Sequence, residues 1–195
     1  MIYGILLAAG LGRRIGSPKA LLTLDGETFH QRAVRSFAEA GLPTIVITNP
    51  QIESALASAQ KDERRITNPD PDRESGMFAS VLLGVAEALD LGATGAVLLP
   101  VDHPLVGSDD IRVVRALLET GASVVVATHG GRRGHPVGIS RTVMGEIAFD
   151  PSLATLRDIV RRDAGRVVEA PISEGAVLGV NTKEDLERVS NRTFR

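Results

Sequence analysis

Short apolar runs that alternate with segments of helical period leave this chain few folds to choose from. The runs are Ile2 to Ala8, Thr44 to Thr48, Ala96 to Val101, Ser123 to Ala127 and Arg166 to Ala170. Continuous apolar character, rather than strict alternation, marks strands covered on both faces, as in a parallel sheet between helices. Between the runs, Ile111, Val114, Leu117 and Leu118 share one helical face, with Arg112 and Arg115 turned away from it. Leu153, Leu156, Ile159 and Val160 repeat that spacing, and Met77 to Leu89 reads as a well-buried helix. Thr182, with Asp185 three residues on, forms a variant capping box that opens a last helix, Lys183 to Val189. The expected architecture is one domain over residues 1–195, a three-layer α/β/α sandwich around a mostly parallel central sheet.

Composition narrows the function classes. A net charge of −2 gives no positive field for nucleic acid, and one Tyr with no Trp leaves few stacking platforms. The chain has no cysteine, which excludes disulfides, thiolate metal sites and a cysteine nucleophile. His129 and His135 have no Cys and no further His at zinc-ligand spacing in the sequence to support a zinc site. The apolar start ends at Gly10, well short of the roughly 20 residues of a membrane span, so no membrane is expected as a partner and the expected location is cytoplasmic.

The chemistry concentrates after the first run, in Leu7-Ala8-Ala9-Gly10-Leu11-Gly12-Arg13-Arg14-Ile15-Gly16-Ser17-Pro18-Lys19. Ligands of open α/β sheets bind beyond the carboxyl ends of strands. Glycines there let backbone N–H groups meet phosphate oxygens, Arg14 offers a two-pronged donor, and Lys19 adds a compact charge. Three residues separate Gly12 from Gly16, which breaks the dinucleotide fingerprint; Ser17, Pro18 and Ala20 break the Walker A pattern. Asp102 ends another buried run, beside the same crevice, where a carboxylate can hold Mg²⁺ against substrate phosphates.

Leu7 to Lys19 resembles the LAAGxGxRMGxxK signature of nucleotidyltransferases, with Ile15 where Met is usual. The chain is similar to the MobA-like nucleotidyltransferase superfamily, and within it to the molybdopterin cytidylyltransferase branch. The resemblance implies a Rossmann-like fold and a triphosphate held by Leu7, Ala8, Ala9, Gly10, Gly12, Arg14 and Lys19. It implies Mg²⁺ as cofactor on Asp102, through the Asp102-His103-Pro104 segment. The C-terminal element, Gly179-Val180-Asn181-Thr182, departs from the superfamily pattern by having glycine where a carboxylate or amide is common. Asn181 is then the second metal ligand, or else a turn residue before the last helix.

Two middle segments extend the resemblance. Gly76-Met77-Phe78-Ala79-Ser80 resembles a loop and helix start that help bind the nucleobase, which assigns that role to Gly76 and Ser80. Ser75 reads as the cap of this helix and Met77 as a core residue. Arg133 and His135, in Arg132-Arg133-Gly134-His135-Pro136, resemble the acceptor-side Gly-His-Pro segment; the arginines read equally as a solvated hairpin. The implied reaction is transfer of a nucleoside monophosphate from a triphosphate to a phosphorylated small molecule, with pyrophosphate released. Leu-Ala-Ala-Gly favours CTP, and molybdopterin is the first acceptor, with an apo-enzyme that receives the cofactor as partner. Asp150 to Asp158 lacks the Gly-Asp element that molybdopterin enzymes commonly carry. Guanylyl or uridylyl transfer to a sugar phosphate or other phosphoalcohol stays open, as does a non-catalytic nucleotide-binding module.

Overall fold

The computed structural model describes residues 1–56, 63–70, 76–150, 153 and 155–193. Strand β1 (Ile2–Leu7) leads through the glycine loop to a small hairpin, β2 (Thr23–Leu24) and β3 (Glu27–Thr28), and to α1 (Phe29–Glu39). Then follow β4 (Thr44–Thr48), α2 (Pro50–Ala55), β5 (Glu63–Thr67), α3 (Gly76–Asp90) and β6 (Gly95–Pro100). The second half contains α4 (Ser108–Glu119), β7 (Val124–His129), β8 (Arg132–Ser140), α5 (Arg141–Phe149), α6 (Leu156–Arg162), β9 (Val167–Pro171) and α7 (Lys183–Thr193).

Among the described residues, seven strands form the central sheet in the order β5-β4-β1-β6-β8-β7-β9. All neighbours are parallel except those of β8, which runs antiparallel to β6 and β7. Strand residues point alternately into two cores, because successive side chains of a strand leave opposite faces. Leu6, Val46, Val97, Leu99 and Val125 meet Phe29, Phe37, Ile111 and Val114 of α1 and α4. Ile5, Leu7, Ile45, Leu98 and Val126 meet Val81, Val85, Met144 and Ile159 of α3, α5 and α6. This is the three-layer arrangement that the apolar runs predict.

The reading of the runs as strands holds to within a residue or two at each end. Two strands of the central sheet escaped it, as did the small hairpin of β2 and β3. Strand β5 is charged, Glu-Arg-Arg-Ile-Thr, because it lies at the sheet edge and neutralises itself by pairing Arg65 with Glu63 and Arg64 with Glu87. Strand β8 carries Gly134, His135, Pro136 and Gly138 and so shows no apolar run. The capping box of α7 is present, with Thr182 N–H donating to Asp185 and Asp185 N–H to the Thr182 hydroxyl. No helix among the described residues is long and apolar enough to cross a membrane.

Candidate active site

Strand β1 delivers the glycine loop to the carboxyl edge of the sheet and holds it there through backbone bonds. Ala8 N–H reaches the Ile47 carbonyl at 2.8 Å, and Val101 N–H reaches that of Leu7 at 3.1 Å. The buried Asn49 amide, which the sequence reading did not single out, donates to the Ala9 carbonyl at 2.7 Å and also caps α2. Gly12 then turns the chain with φ of +62°, and its carbonyl accepts from Ile15 and Gly16. A β-carbon at Gly12 would lie 1.9 Å from the Ser17 carbonyl oxygen, so both the dihedral and the close approach require glycine. Buried Ile15 anchors the loop to the core. Gly10 differs: a β-carbon there would meet nothing within 4 Å, so packing within the protein does not demand glycine.

Lys19, at the start of a short 3-10 turn, joins three distant parts of the chain. Its ammonium donates to Asp102 Oδ2 and to Asn181 Oδ1, each at 2.7 Å. The Lys19 and Asp102 side chains are 17% and 16% exposed, shielded enough for their attraction to exceed that of a surface pair. Asp102 is fixed from the backbone side, where its carbonyl accepts from Val180 N–H at 2.8 Å. Asn181 N–H donates to the Asp185 carboxylate that caps α7. Asp102 Oδ1 is buried without a hydrogen-bond partner. A buried unpaired carboxylate oxygen next to an amide oxygen is a hard-oxygen donor set, the kind that suits a divalent cation such as Mg²⁺.

A cavity of about 280 Å³ opens over this cluster, lined by Leu7, Ala9, Gly10, Gly12, Lys19, Ser80 and Asp102. The same cavity is lined by Arg13, whereas Arg14 is exposed and is not part of its wall. Two adjacent arginines in a loop gave the sequence reading no means of telling which one faces inward. The Ala8 side chain belongs to the opposite core layer, so only its backbone borders the crevice. Gly76 begins α3, and Ser80 one turn later is buried, its hydroxyl accepting from the Asn68 amide at 3.0 Å. Ser75, read as the helix cap, lies outside the described residues. Met77 is not a core residue: it is 66% exposed, in the first turn of α3, where it faces the cavities rather than the sheet.

A second cavity, of about 630 Å³, contains Arg133 and His135 in its lining. Its floor is apolar, from Phe78, Val81, Val126 and Val137, and Arg133, Arg157 and Arg161 surround it. Met77 lines both cavities and so stands between them. Arg133 pairs with Glu169 of β9 at 2.9 Å, both about half exposed, so part of its guanidinium is engaged across the sheet surface rather than free in the hairpin. The His135 ring meets His103 edge-on, with centroids 4.9 Å apart, and its Nδ1 is buried without a hydrogen-bond partner. Burial, with His103 adding to it, pulls the His135 pKa down to about 4 against the opposing pull of Asp102. Burial also lowers that of His103, aided by Lys19 and opposed by Asp102 and the Gly175 carbonyl.

A glycine turn, a lysine and a strand-end carboxylate at the carboxyl edge of a mostly parallel sheet define a nucleotide-binding α/β protein of the transferase kind. Residues 4–167 match the model of the MobA-like NTP transferase domain, and the chain belongs to that family of nucleotidyltransferases. It is 28% identical to a molybdenum cofactor guanylyltransferase of Rhodobacter capsulatus, over 98% of this chain and 96% of that protein. Among solved structures it is similar to Rv0371c of Mycobacterium tuberculosis H37Rv, with 26% identity, a TM-score of 0.82 and 98% coverage of both chains. The manganese complex of that protein superposes with a TM-score of 0.74 at 25% identity, covering 97% of this chain and 98% of that one.

Proposed function

We propose that the chain transfers a nucleoside monophosphate, CMP first, from its triphosphate to a phosphorylated small molecule, molybdopterin first, and releases pyrophosphate. One observation carries this reading: the Lys19 ammonium joins Asp102 and Asn181 beneath the glycine loop, beside a second cavity bordered by arginines. The triphosphate lies along Gly10 and Gly12, whose missing side chains leave backbone N–H groups accessible. Its negative charge draws Lys19 away from Asp102, which frees Asp102 Oδ2 and Asn181 Oδ1. Asp102, whose Oδ1 has no hydrogen-bond partner, and Asn181 are the residues that would hold a divalent cation, Mg²⁺ in this reading, and such a cation would neutralise phosphate charge. Manganese in the complex of Rv0371c supports a divalent cation in this family.

The acceptor phosphate is already anionic at neutral pH, so its oxygen attacks the α-phosphorus without a general base. The bond from the α-phosphorus to the bridging oxygen breaks, and pyrophosphate leaves with the electron pair. Lys19 and the loop arginines spread the developing charge, while His135 and Arg133 hold the acceptor. Arg13 already borders the cavity, and Arg14 reaches phosphate only by closure of the exposed loop tip. Ala9 puts a methyl group into the cavity wall, which suits a pyrimidine nucleotide. A second reading, GTP as donor, is favoured by the name of the Rhodobacter capsulatus relative. Transfer of the finished cofactor to a recipient apo-enzyme, in the cytoplasm, completes the proposal.

The test is pyrophosphate release over a grid of CTP, GTP, UTP and ATP against molybdopterin, sugar phosphates and phosphoalcohols, each with Mg²⁺. Release with CTP and molybdopterin is the expected result. Triphosphate binding with no release under any acceptor would make the chain a binding module instead.

A further inference from the structure

His103 has no part in the scheme above, yet its ring is set as a ligand is set. Its Nδ1 lies 3.3 Å from the Gly175 carbonyl, which can only accept, so Nδ1 carries the proton and Nε2 presents a lone pair. That lone pair is 3.8 Å from Asp102 Oδ1, the buried oxygen without a hydrogen-bond partner. On its other side the chain leaves room: a β-carbon at Gly179 would lie 3.3 Å from Nε2. Imidazoles that bind metals have this division, with one nitrogen steadied by a carbonyl and the other bare. The carbonyl is itself fixed, because Gly175 packs so closely on Leu105 that a β-carbon would lie 2.6 Å from the Leu105 oxygen.

We propose that His103 Nε2 is a ligand of the divalent cation beside Asp102, in the space that Gly179 keeps open, and that the site therefore holds Mn²⁺ more tightly than Mg²⁺. The proposal rests on the nucleotidyl-transfer reading and adds the nitrogen donor to it. Mg²⁺ favours an all-oxygen octahedral shell and gives up water reluctantly, whereas first-row transition ions accept imidazole nitrogen.

The experiment takes the full chain with Mn²⁺ and inorganic tripolyphosphate, a ligand that contains no nitrogen. Electron spin-echo modulation of the bound Mn²⁺ shows a coordinated nitrogen, and its frequency changes when histidine alone is labelled with ¹⁵N. Titration of His103→Gln shows Mn²⁺ affinity lower on the order of tenfold, with Mg²⁺ affinity little changed. Mn²⁺ bound without a histidine coupling, or with a coupling that survives His103→Gln, overturns the proposal while leaving Asp102 as the metal residue. Failure of any cation to bind with tripolyphosphate, together with no pyrophosphate release in the grid above, removes the underlying reading as well. The isotope experiment needs no substitution, so the answer does not depend on a variant that folds.

Discussion

Lys19 supports the site on two counts, because one ammonium satisfies acceptors contributed by the middle and the C-terminal part of the chain. Lys19→Ala should lower turnover on the order of 10²-fold, as removal of comparable charge-stabilising donors does. It should also lower the melting temperature, since the half-buried Asp102 carboxylate loses its cation. Asp102→Ala should abolish pyrophosphate release with the circular dichroism spectrum unchanged; near-wild-type turnover would remove it from the mechanism. His135 makes a prediction about pH. Its folded pKa of about 4, against 6.5 when unfolded, means that protons bind to the unfolded chain first. That contribution to stability is whole above pH 6.5 and is lost as pH falls toward 4, up to about 3 kcal/mol. Urea unfolding of metal-free protein between pH 4.5 and 7 should therefore give a shallower slope for His135→Phe than for the wild type.

At the scale of elements, the reversed strand β8 decides which residues line the second cavity. A parallel strand reaches the carboxyl edge with its last residues, whereas β8 arrives there with its first, Arg132 to His135. Its register with β7 shifts between Val126 and Thr128, so Gly134 to Pro136 oppose Ala127 alone. Such a bulge re-aims side chains, and here it turns His135 toward His103. A β-carbon at Gly134 would lie 1.9 Å from the Ala176 carbonyl oxygen, in the 3-10 turn Glu174–Val177. Gly134→Ala should cost about 1–3 kcal/mol in chemical denaturation, the range for overpacking, and raise KM for the acceptor but not for the triphosphate. A change confined to the triphosphate KM would place the bulge on the wrong side of the reaction.

Legibility followed the same physics. Buried parallel strands announce themselves because both faces demand apolar residues, which is why β1, β4, β6 and β7 could be read directly, whereas β9 is the other edge strand and is mostly exposed. The edge strand β5 meets solvent and carries charge, and β8 spends its positions on a bulge and a site, so neither shows the pattern. Lys19 was found in the glycine loop and Asp102 at a strand end, with the family resemblance supporting both and alone supplying Asn181, and the structure brings all three together. Arg13 and Asn49 were not singled out, because their roles depend on which way a loop side chain turns; His103 was read within Asp102-His103-Pro104 without a defined role. Met77 looked like core only because methionine in a helical segment usually is.

For the molecule as a whole, the two cavities and the charge between them predict how ligands should act on stability. A triphosphate with a divalent cation should raise the melting temperature, by about 2.7 kcal/mol of stabilisation at a hundredfold excess over Kd, and NADH should not. Stabilisation by NADH alone would contradict the site. Met77 stands at the border of the two cavities, exposed and with three rotatable bonds. A supple side chain shared by both walls means that, among the described residues, the two guests lie next to each other rather than in separate compartments. A molecule spanning both halves, a nucleotide tethered to the acceptor, would press that thioether aside and bind as one body, gaining the effective concentration that separate ligands forgo.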